Sequence, residues 1–330
     1  MRFVFLWLAV VFVPTQTSYS KDGSIDHAIS SANFSRFEEN GKVGLKDENG
    51  RILIPAIYEA IGWSNGNLLI IDKVVGYQSG GLWGLIHTSN KTITPAEFLD
   101  LKPGKASLLI AQKKSRLTQR PSFGIINTSG KTIIPFIYDG LELSDMRAVV
   151  MSRSGTKYQF GLIDLSHKIL IPVEFQKIYS LGSLRYAVEN FENKTAIYSD
   201  EGGQITGFTI DSISVFKKDF AVVYQNQKQG LIDRSGQMIL NPIYGEVRLK
   251  ENGGVEVRDT NEWFFLSGEN QVISQHKADG LRPLSANHYV ITSGGKLRLT
   301  SNDLKPLHGD FLLSIGDFNN GLALFRKASG

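Results

Sequence analysis

The chain has 330 residues, of which 42% are hydrophobic and 21% are charged, so it can bury a large core and is not a disordered protein. Its formal net charge of +4 is too small to indicate a nucleic-acid partner. It contains no cysteine, which excludes disulfide bonds, thiolate nucleophiles and cysteine-ligated metals.

Residues 1–20 have the pattern of a secretory signal peptide. Arg2 supplies the positive start, residues 3–13 form an apolar run, and small residues at Ser18 and Ser20 precede the predicted cleavage. The apolar run is too short to cross a bilayer as a helix, so we expect no membrane span in the mature chain. The prediction is an exported protein of the periplasm, the cell surface or the medium.

Residues 21–32 are predicted to be a linker, and residues 33–330 form an array of repeats. Equivalent anchor positions, most of them glycine, recur along the array at intervals typical of a solenoid or a propeller. The eight anchors, which number the copies, are Gly44, Gly84, Gly124, Gly161, Ala196, Gly230, Phe264 and Leu297.

Each copy carries the signature of a tight turn. A short polar residue, such as Asp47, Asp164 or Asp233, commonly stands three residues after the anchor and can bond to the turn backbone. Six residues after the anchor, all eight copies have a residue type that tolerates a positive φ. These residues are Gly50, Asn90, Gly130, His167, Gly202, Gly236, Asn270 and Asp303.

Short β-favouring runs flank this turn, which predicts a hairpin in every copy. Prolines in four copies are predicted to end the second strand of the hairpin, because proline lacks the N–H that a ladder needs. They are Pro55, Pro95, Pro135 and Pro172. An aromatic residue follows, then an aliphatic residue that predicts a third strand, and a further apolar run before the next anchor predicts a fourth. The predicted fold is all-β, with about eight units of three to four short antiparallel strands.

The residues of copy three resemble the bacterial WG repeat. Residues 123–139 hold Phe-Gly-Ile-Ile-Asn, a turn glycine, Ile-Ile-Pro, two further residues and Tyr, and copy six is similar. The Trp-Gly pair that names the family occurs once, at Trp83-Gly84. The resemblance implies an all-β, propeller-like repeat protein from a family without a shared catalytic set. An open, twisted array of small sheets is the alternative architecture.

The C-terminal residues 320–325 look like a ninth copy of the strand that precedes each anchor. Two interpretations remain open. Either this strand completes a ring by pairing with the first unit, or the array is incomplete at its C-terminus and belongs to a longer repeat protein.

The predicted binding surface is centred on a basic cluster in the connection before the anchor of copy three. The equivalent connections are also long in copy two, from Asp72 to Gly81, and in copy four, from Ser152 to Gln159. Because equivalent loops of a repeat protein emerge on one face, these three segments predict one shared surface that attracts phosphate or acidic glycan. Its candidate residues are Lys113, Lys114, Arg116, Arg120, Tyr77, Arg153 and Tyr158.

No cofactor, metal or catalytic set is predicted. The six histidines lack ligand spacing, and the recurrent aspartates are explained by turn chemistry. Glycan hydrolysis would need two carboxylates about 5 to 10 Å apart. The acids outside the repeat pattern where such a pair would be sought are Glu142, Asp145, Glu174 and Asp219.

The leading functional hypothesis is an exported, non-catalytic repeat protein that binds an unknown protein or a glycan of the cell envelope through loops on one face. A propeller-type glycan hydrolase and a scaffold fragment of a longer repeat protein are the alternatives.

Overall fold

A computed structural model describes residues 28–29, 33–115, 119–144, 146–249, 255–259, 262–266, 272–277, 280–285, 288–301, 305–309, 311–316 and 323–327. The described residues form strands and turns and contain no α-helix. The prediction of an all-β fold is confirmed.

The strands form eight small antiparallel sheets, and within most of them each strand pairs with the next one along the chain. Sheet one contains Phe34–Glu39, Lys42–Asp47 and Ile52–Tyr58. Sheet two contains Ala28–Ile29, Ala60–Ile61, Ile70–Ile71, Val74–Ser79, Leu82–His87 and Thr92–Phe98. Sheet three contains Asp100–Pro103, Leu108–Lys114, Pro121–Asn127 and Thr132–Tyr138. Sheet four contains Gly140–Ser144, Arg147–Ser154, Lys157–Asp164 and Ile169–Phe175.

The remaining four sheets continue in chain order. Sheet five contains Lys177–Gly182, Arg185–Glu189 and Thr195–Ser199. Sheet six contains Ser212–Ile213, Phe220–Gln225, Lys228–Asp233 and Met238–Tyr244. Sheet seven contains Glu246–Leu249, Val255–Asp259, Glu262–Leu266 and Val272–Lys277. Sheet eight contains Gly280–Ser285, His288–Ser293, Lys296–Ser301, Leu312–Ile315 and Phe325–Lys327.

The sequence repeat is out of phase with the sheets. In copy three the anchor Gly124 lies in the third strand of sheet three, and the strand after the turn, Thr132–Tyr138, is the fourth strand of the same sheet. The predicted strand that follows the aromatic Tyr138 is Gly140–Ser144, which is the first strand of sheet four. Each copy therefore joins two consecutive sheets.

The core lies between consecutive sheets. Between sheets three and four, Ile125 and Ile134 pack with Ala148, Val150 and Ile163. Val149, which lies between Ala148 and Val150 in the chain, belongs instead to the cluster between sheets four and five, because successive side chains of a strand point to opposite faces of the sheet. Equivalent clusters join sheets one to two, two to three, five to six and six to seven. Small meandering sheets packed face to face make the fold propeller-like.

The predicted turns form as the sequence pattern indicates. Oδ1 of Asp164 accepts hydrogen bonds from the backbone N–H of Ser166 at 2.9 Å and of Lys168 at 2.8 Å. The Ser166 hydroxyl also donates to this oxygen, and these hydrogen bonds lower the pKa of Asp164. His167 closes the turn at a φ of 68°. Positive φ is present in all six copies whose closing residue is described, while Asn270 and Asp303 lie outside the described residues.

The prediction that proline ends the second strand of each hairpin is wrong. In sheet three the strand continues past Pro135 to Tyr138. The register shifts at this point, from Ile125 opposite Ile134 to Phe123 opposite Tyr138, so the proline lies in a bulge on the last strand of the sheet. A bulge on an edge strand accommodates proline because no ladder N–H is required there.

The two ends of the described array pair within nearby sheets. Ala28 and Ile29, in the predicted linker, pair with Ile71 and Ile70 of sheet two. At the other end Phe325–Lys327 pairs with Leu312–Ile315 of sheet eight. The pairings of the described residues therefore place this last strand on sheet eight and not on sheet one.

Candidate functional site

The turn that precedes the anchor strand defines one end of each sheet, which we call the hairpin face. In sheet two this turn is Gly80–Gly81, and both residues have positive φ, as a two-residue hairpin turn requires. In sheet four the turn follows Ser154 and begins with Gly155 at a φ of 62°. The turns that contain Asp164 and its equivalents lie at the other end of the anchor strands, so they form the opposite face.

Carboxylates connect neighbouring sheets on the hairpin face. Glu59, which follows the last strand of sheet one, accepts hydrogen bonds from the N–H groups of Gly80 at 2.9 Å and Gly81 at 2.8 Å in sheet two. The backbone donors, Gly81 first, lower the pKa of Glu59. Asp139 and Asp211 stand at the equivalent positions and accept from the N–H groups of Arg153 and Asn226, each at 2.7 Å.

Sequence reasoning missed these connecting carboxylates. The signal was present, since Glu59 and Asp139 each follow directly the aromatic residue that ends a copy's hairpin, Tyr58 and Tyr138. The role of each carboxylate as an acceptor depends on which turn of the next sheet lies beside it. A single copy of the pattern does not contain that information.

An open pocket of about 510 Å³ lies on the hairpin face between sheets three and four. The hairpins of sheets three and four and the last strand of sheet three all contribute residues to its lining. The lining residues are Ser115, Arg120, Ser122, Phe136, Ile137, Asp139, Arg153 and Gly155. The structure thus brings together two predicted site residues, Arg120 and Arg153, that are far apart in sequence.

Local contacts orient the side chain of Arg153. Its Nε donates to the carbonyl oxygen of Gly155 at 3.0 Å, and the guanidinium carbon lies 6.0 Å from the centre of the exposed Tyr158 ring. Its backbone N–H donates to Oδ2 of Asp139. Arg153 therefore has both the carboxylate of Asp139 and the ring of Tyr158 as neighbours.

The other members of the predicted basic cluster are placed differently. The ammonium of Lys113 lies 4.4 Å from the centre of the Phe136 ring and 3.7 Å from Oε2 of Glu97, so it is directed toward sheet two. Lys114 is exposed at the end of the sheet-three hairpin, opposite Pro121. Arg116 lies outside the described residues.

Tyr77 is not part of a surface, contrary to the prediction. It is 6% exposed, its ring centre lies 4.7 Å from that of Tyr58, and its hydroxyl donates to the carbonyl oxygen of Thr94 at 3.1 Å. Burial raises the pKa of Tyr77. The ring also occupies the space beside Gly84, where an added Cβ would lie 2.6 Å from the Tyr77 ring.

The long connections predicted in copies two and four are mainly strands. Val74–Ser79 is the strand that pairs with the anchor strand of sheet two, and Arg147–Ser154 extends the hairpin of sheet four up to its turn. Buried Val74 and Val75 explain why this segment of copy two enters the sheet. In the connection of copy three, the backbone N–H of Ser115 donates to the carbonyl oxygen of Arg120 at 2.8 Å, next to the last strand pair, Lys114 and Pro121.

The acids considered for catalysis are dispersed. Glu142, Glu174 and Asp219 are exposed, and none of them is among the residues that line the pocket. Asp219 lies 3.7 Å from Arg234, and Asp145 is outside the described residues. Within the described part of the chain, no group of three or more histidines and carboxylates could hold a metal ion. The same residues include no helix long and apolar enough to span a membrane.

Three solved structures match this chain with low sequence identity and low TM-scores. Apo AztD from Citrobacter koseri is 10% identical, with a TM-score of 0.33 over 83% of this chain and 93% of AztD. The C-terminal WD40 domain of Sif2 is 8% identical, with a TM-score of 0.29 over 77% of this chain and 88% of that domain. PorZ, a surface component of the type-IX secretion system of Porphyromonas gingivalis, is 11% identical, with a TM-score of 0.25 over 78% of this chain and 37% of PorZ. Nothing about this chain is inferred from scores this low.

No curated protein matches the sequence of this chain. The family model for the WG containing repeat matches residues 44–72, 123–143, 160–183 and 230–253. These segments begin at or next to the anchors of copies one, three, four and six, and each extends into the first strand of the following sheet. The resemblance drawn from copy three is confirmed, and the chain carries WG repeats in these four segments.

Proposed function

We propose that this chain is an exported, non-catalytic repeat protein that captures a macromolecule or glycan of the cell envelope through its hairpin face. The observation that carries the proposal is the pocket between sheets three and four, where Arg120 and Arg153 from two different hairpins line one cavity. A cavity of this size with a few convergent polar groups on apolar surface is typical of binding sites.

Capture of a partner from envelope extracts tests the binding proposal. The bait is the mature chain, residues 21–330, and the test variant combines Arg120→Ala with Arg153→Ala. The control is Arg51→Ala, which removes an exposed arginine beside the turn on the opposite face of sheet one. We expect the wild type and Arg51→Ala to retain the same partner and the double variant to lose it. Equal capture by all three proteins would contradict the assignment of the hairpin face.

Export and the absence of catalysis are tested separately. N-terminal sequencing of the protein recovered from its producing cells is expected to begin at Lys21. If the recovered protein begins at Met1 inside the cytoplasm, export is disproved. The hydrolase alternative predicts shortening of a captured glycan during prolonged incubation, whereas the binding proposal predicts that the glycan is recovered intact.

A further inference from the structure

We propose that the pocket between sheets three and four binds a saccharide that carries a carboxylate, with Arg120 and Arg153 contacting the carboxylate. This inference rests on the proposed function, because it names the ligand class of the same site.

The two arginines determine the charge of the ligand. Both line the pocket, Arg120 from the hairpin of sheet three and Arg153 from that of sheet four. Arg153 uses Nε to bond Gly155, which leaves its terminal nitrogens without a hydrogen-bond partner among the described residues. A planar guanidinium with such nitrogens is suited to a carboxylate, which accepts two parallel N–H bonds.

Asp139 favours a hydroxyl-rich ligand over a simple anion. Its Oδ2 accepts from the backbone N–H of Arg153, and Asp139 lines the same pocket as the two arginines. A compact, fully charged anion such as phosphate would be repelled by this carboxylate. A sugar acid has both a carboxylate, which can contact the arginines, and hydroxyl groups, one of which can donate to Asp139.

Apolar surface completes the match to a saccharide. Phe136 and Ile137 line the pocket, and Ile137 is 59% exposed although it is a large aliphatic side chain. The C–H-rich face of a sugar ring can pack on such a surface while its hydroxyls and carboxylate bond to the polar walls. The pocket opens on the hairpin face, so a sugar within a longer chain can enter without a free end.

Calorimetric titration of the mature protein tests the ligand class with a matched pair of probes. The first probe is an oligomer of four galacturonate residues, and the second is the same oligomer with its carboxylates reduced to alcohols. We expect the acidic oligomer to bind at least about tenfold more tightly, the effect of losing a charge-assisted hydrogen bond. Equal affinity for the two probes, or tighter binding of inorganic phosphate than of the acidic oligomer, would overturn the inference.

Variants locate the binding in the pocket. Arg120→Ala and Arg153→Ala are each expected to weaken binding of the acidic oligomer at least about tenfold, while Arg51→Ala leaves it unchanged. Arg153→Lys should recover part of the affinity, because it keeps the charge but loses the two-pronged geometry. Unchanged affinity in both alanine variants with normal circular dichroism would show that the acidic oligomer binds elsewhere.

The two proposals can fail independently. If the hairpin face captures a protein partner and no acidic oligomer binds, the proposed function stands and the saccharide inference is wrong. If neither envelope capture nor oligomer binding depends on Arg120 and Arg153, the assignment of the hairpin face is wrong as well.

Discussion

Sheets four and five are neighbours built from successive copies of one repeat, yet only sheet four has its fourth strand. In sheet four the strand Ile169–Phe175 pairs with the anchor strand and passes Gly161 through a bulge. In sheet five Ala196 replaces the anchor glycine, and the chain after the turn makes only two isolated bridges, Thr195 to Ile210 and Tyr198 to Gln204. Sheet seven keeps a fourth strand with Phe264 at the anchor and has no register shift at that residue, so the glycine goes with the bulge and not with the fourth strand itself.

Close approach explains the role of the glycine. A Cβ on Gly161 would lie 2.9 Å from the carbonyl oxygen of Ile171 and 2.6 Å from Cγ2 of Val173 on the bulged strand. Similar contacts surround Gly124, where a Cβ would lie 2.8 Å from the carbonyl oxygen of Ile134. The bulged fourth strand therefore occupies space that any larger residue at the anchor would need.

Substitution at the anchor is expected to have the largest effect and tests this explanation directly. Gly161→Ala forces a methyl group against backbone atoms and should lower the free energy of unfolding by about 2 kcal/mol. The reciprocal change, Ala196→Gly, meets no such clash and should cost about 0.5 to 1 kcal/mol through backbone entropy. Urea denaturation of both variants measures the difference. A similar loss in the two variants would show that the bulge does not require glycine.

A side chain connects the segment after the turn of sheet five to the anchor strand. The hydroxyl oxygen of Thr206 accepts a hydrogen bond from the backbone N–H of buried Ile197 at 2.9 Å, as Thr94 does from Leu85 in sheet two. Phe208 also packs on the aromatic residues of sheets four and five, with ring centres 5.8 Å from Phe175 and 6.4 Å from Tyr198.

Removal of this hydroxyl is expected to have the next largest effect. Thr206→Val keeps the shape of the side chain but leaves the buried N–H of Ile197 without an acceptor, which should cost about 1 to 2 kcal/mol. Thr206→Ser retains the hydroxyl and serves as the control. Amide exchange at Ile197 is expected to accelerate in the valine variant and to stay slow in the serine variant. Slow exchange in the valine variant would show that the hydroxyl is not what protects this amide.

The sequence was most informative where a local rule fixes the backbone. Positive φ at His167 and Asn90 and the Asp164 turn follow from the chemistry of a few adjacent residues, so one copy was enough to predict them. The pairing of Arg120 with Arg153 depends on how two sheets pack, and the sequence showed only that both belong to equivalent connections. The prediction that the prolines end a strand is wrong because the bulge that accommodates Pro135 depends on pairing with the partner strand. The predicted surface position of Tyr77 is wrong because its segment is a paired strand and not a loop.

The smallest expected effect is that of low pH, and it should differ between the turns of sheets four and five. The turn of sheet four is held by the ionised Asp164, whereas the equivalent turn of sheet five is held by the Ser199 hydroxyl, which accepts from the N–H of Gly203 at 3.0 Å. Because the pKa of Asp164 is lower in the folded protein than its ordinary value of 3.8, its contribution is present above that value. It is lost as the pH falls through the lower pKa of the folded state.

Amide exchange measured at pH values from 5 down to about 2.5 tests this contrast, once corrected for intrinsic exchange rates. Protection at Lys168, whose N–H donates to Asp164, should decline on acidification, while protection at Gly203 should change less. Asp164→Asn keeps an acceptor oxygen but does not titrate, as in the equivalent Asn127 turn of sheet three, so its protection at Lys168 should become independent of pH over this range. A parallel decline at both amides in the wild type would mean that acid loosens the whole array and that the local carboxylate is not the cause.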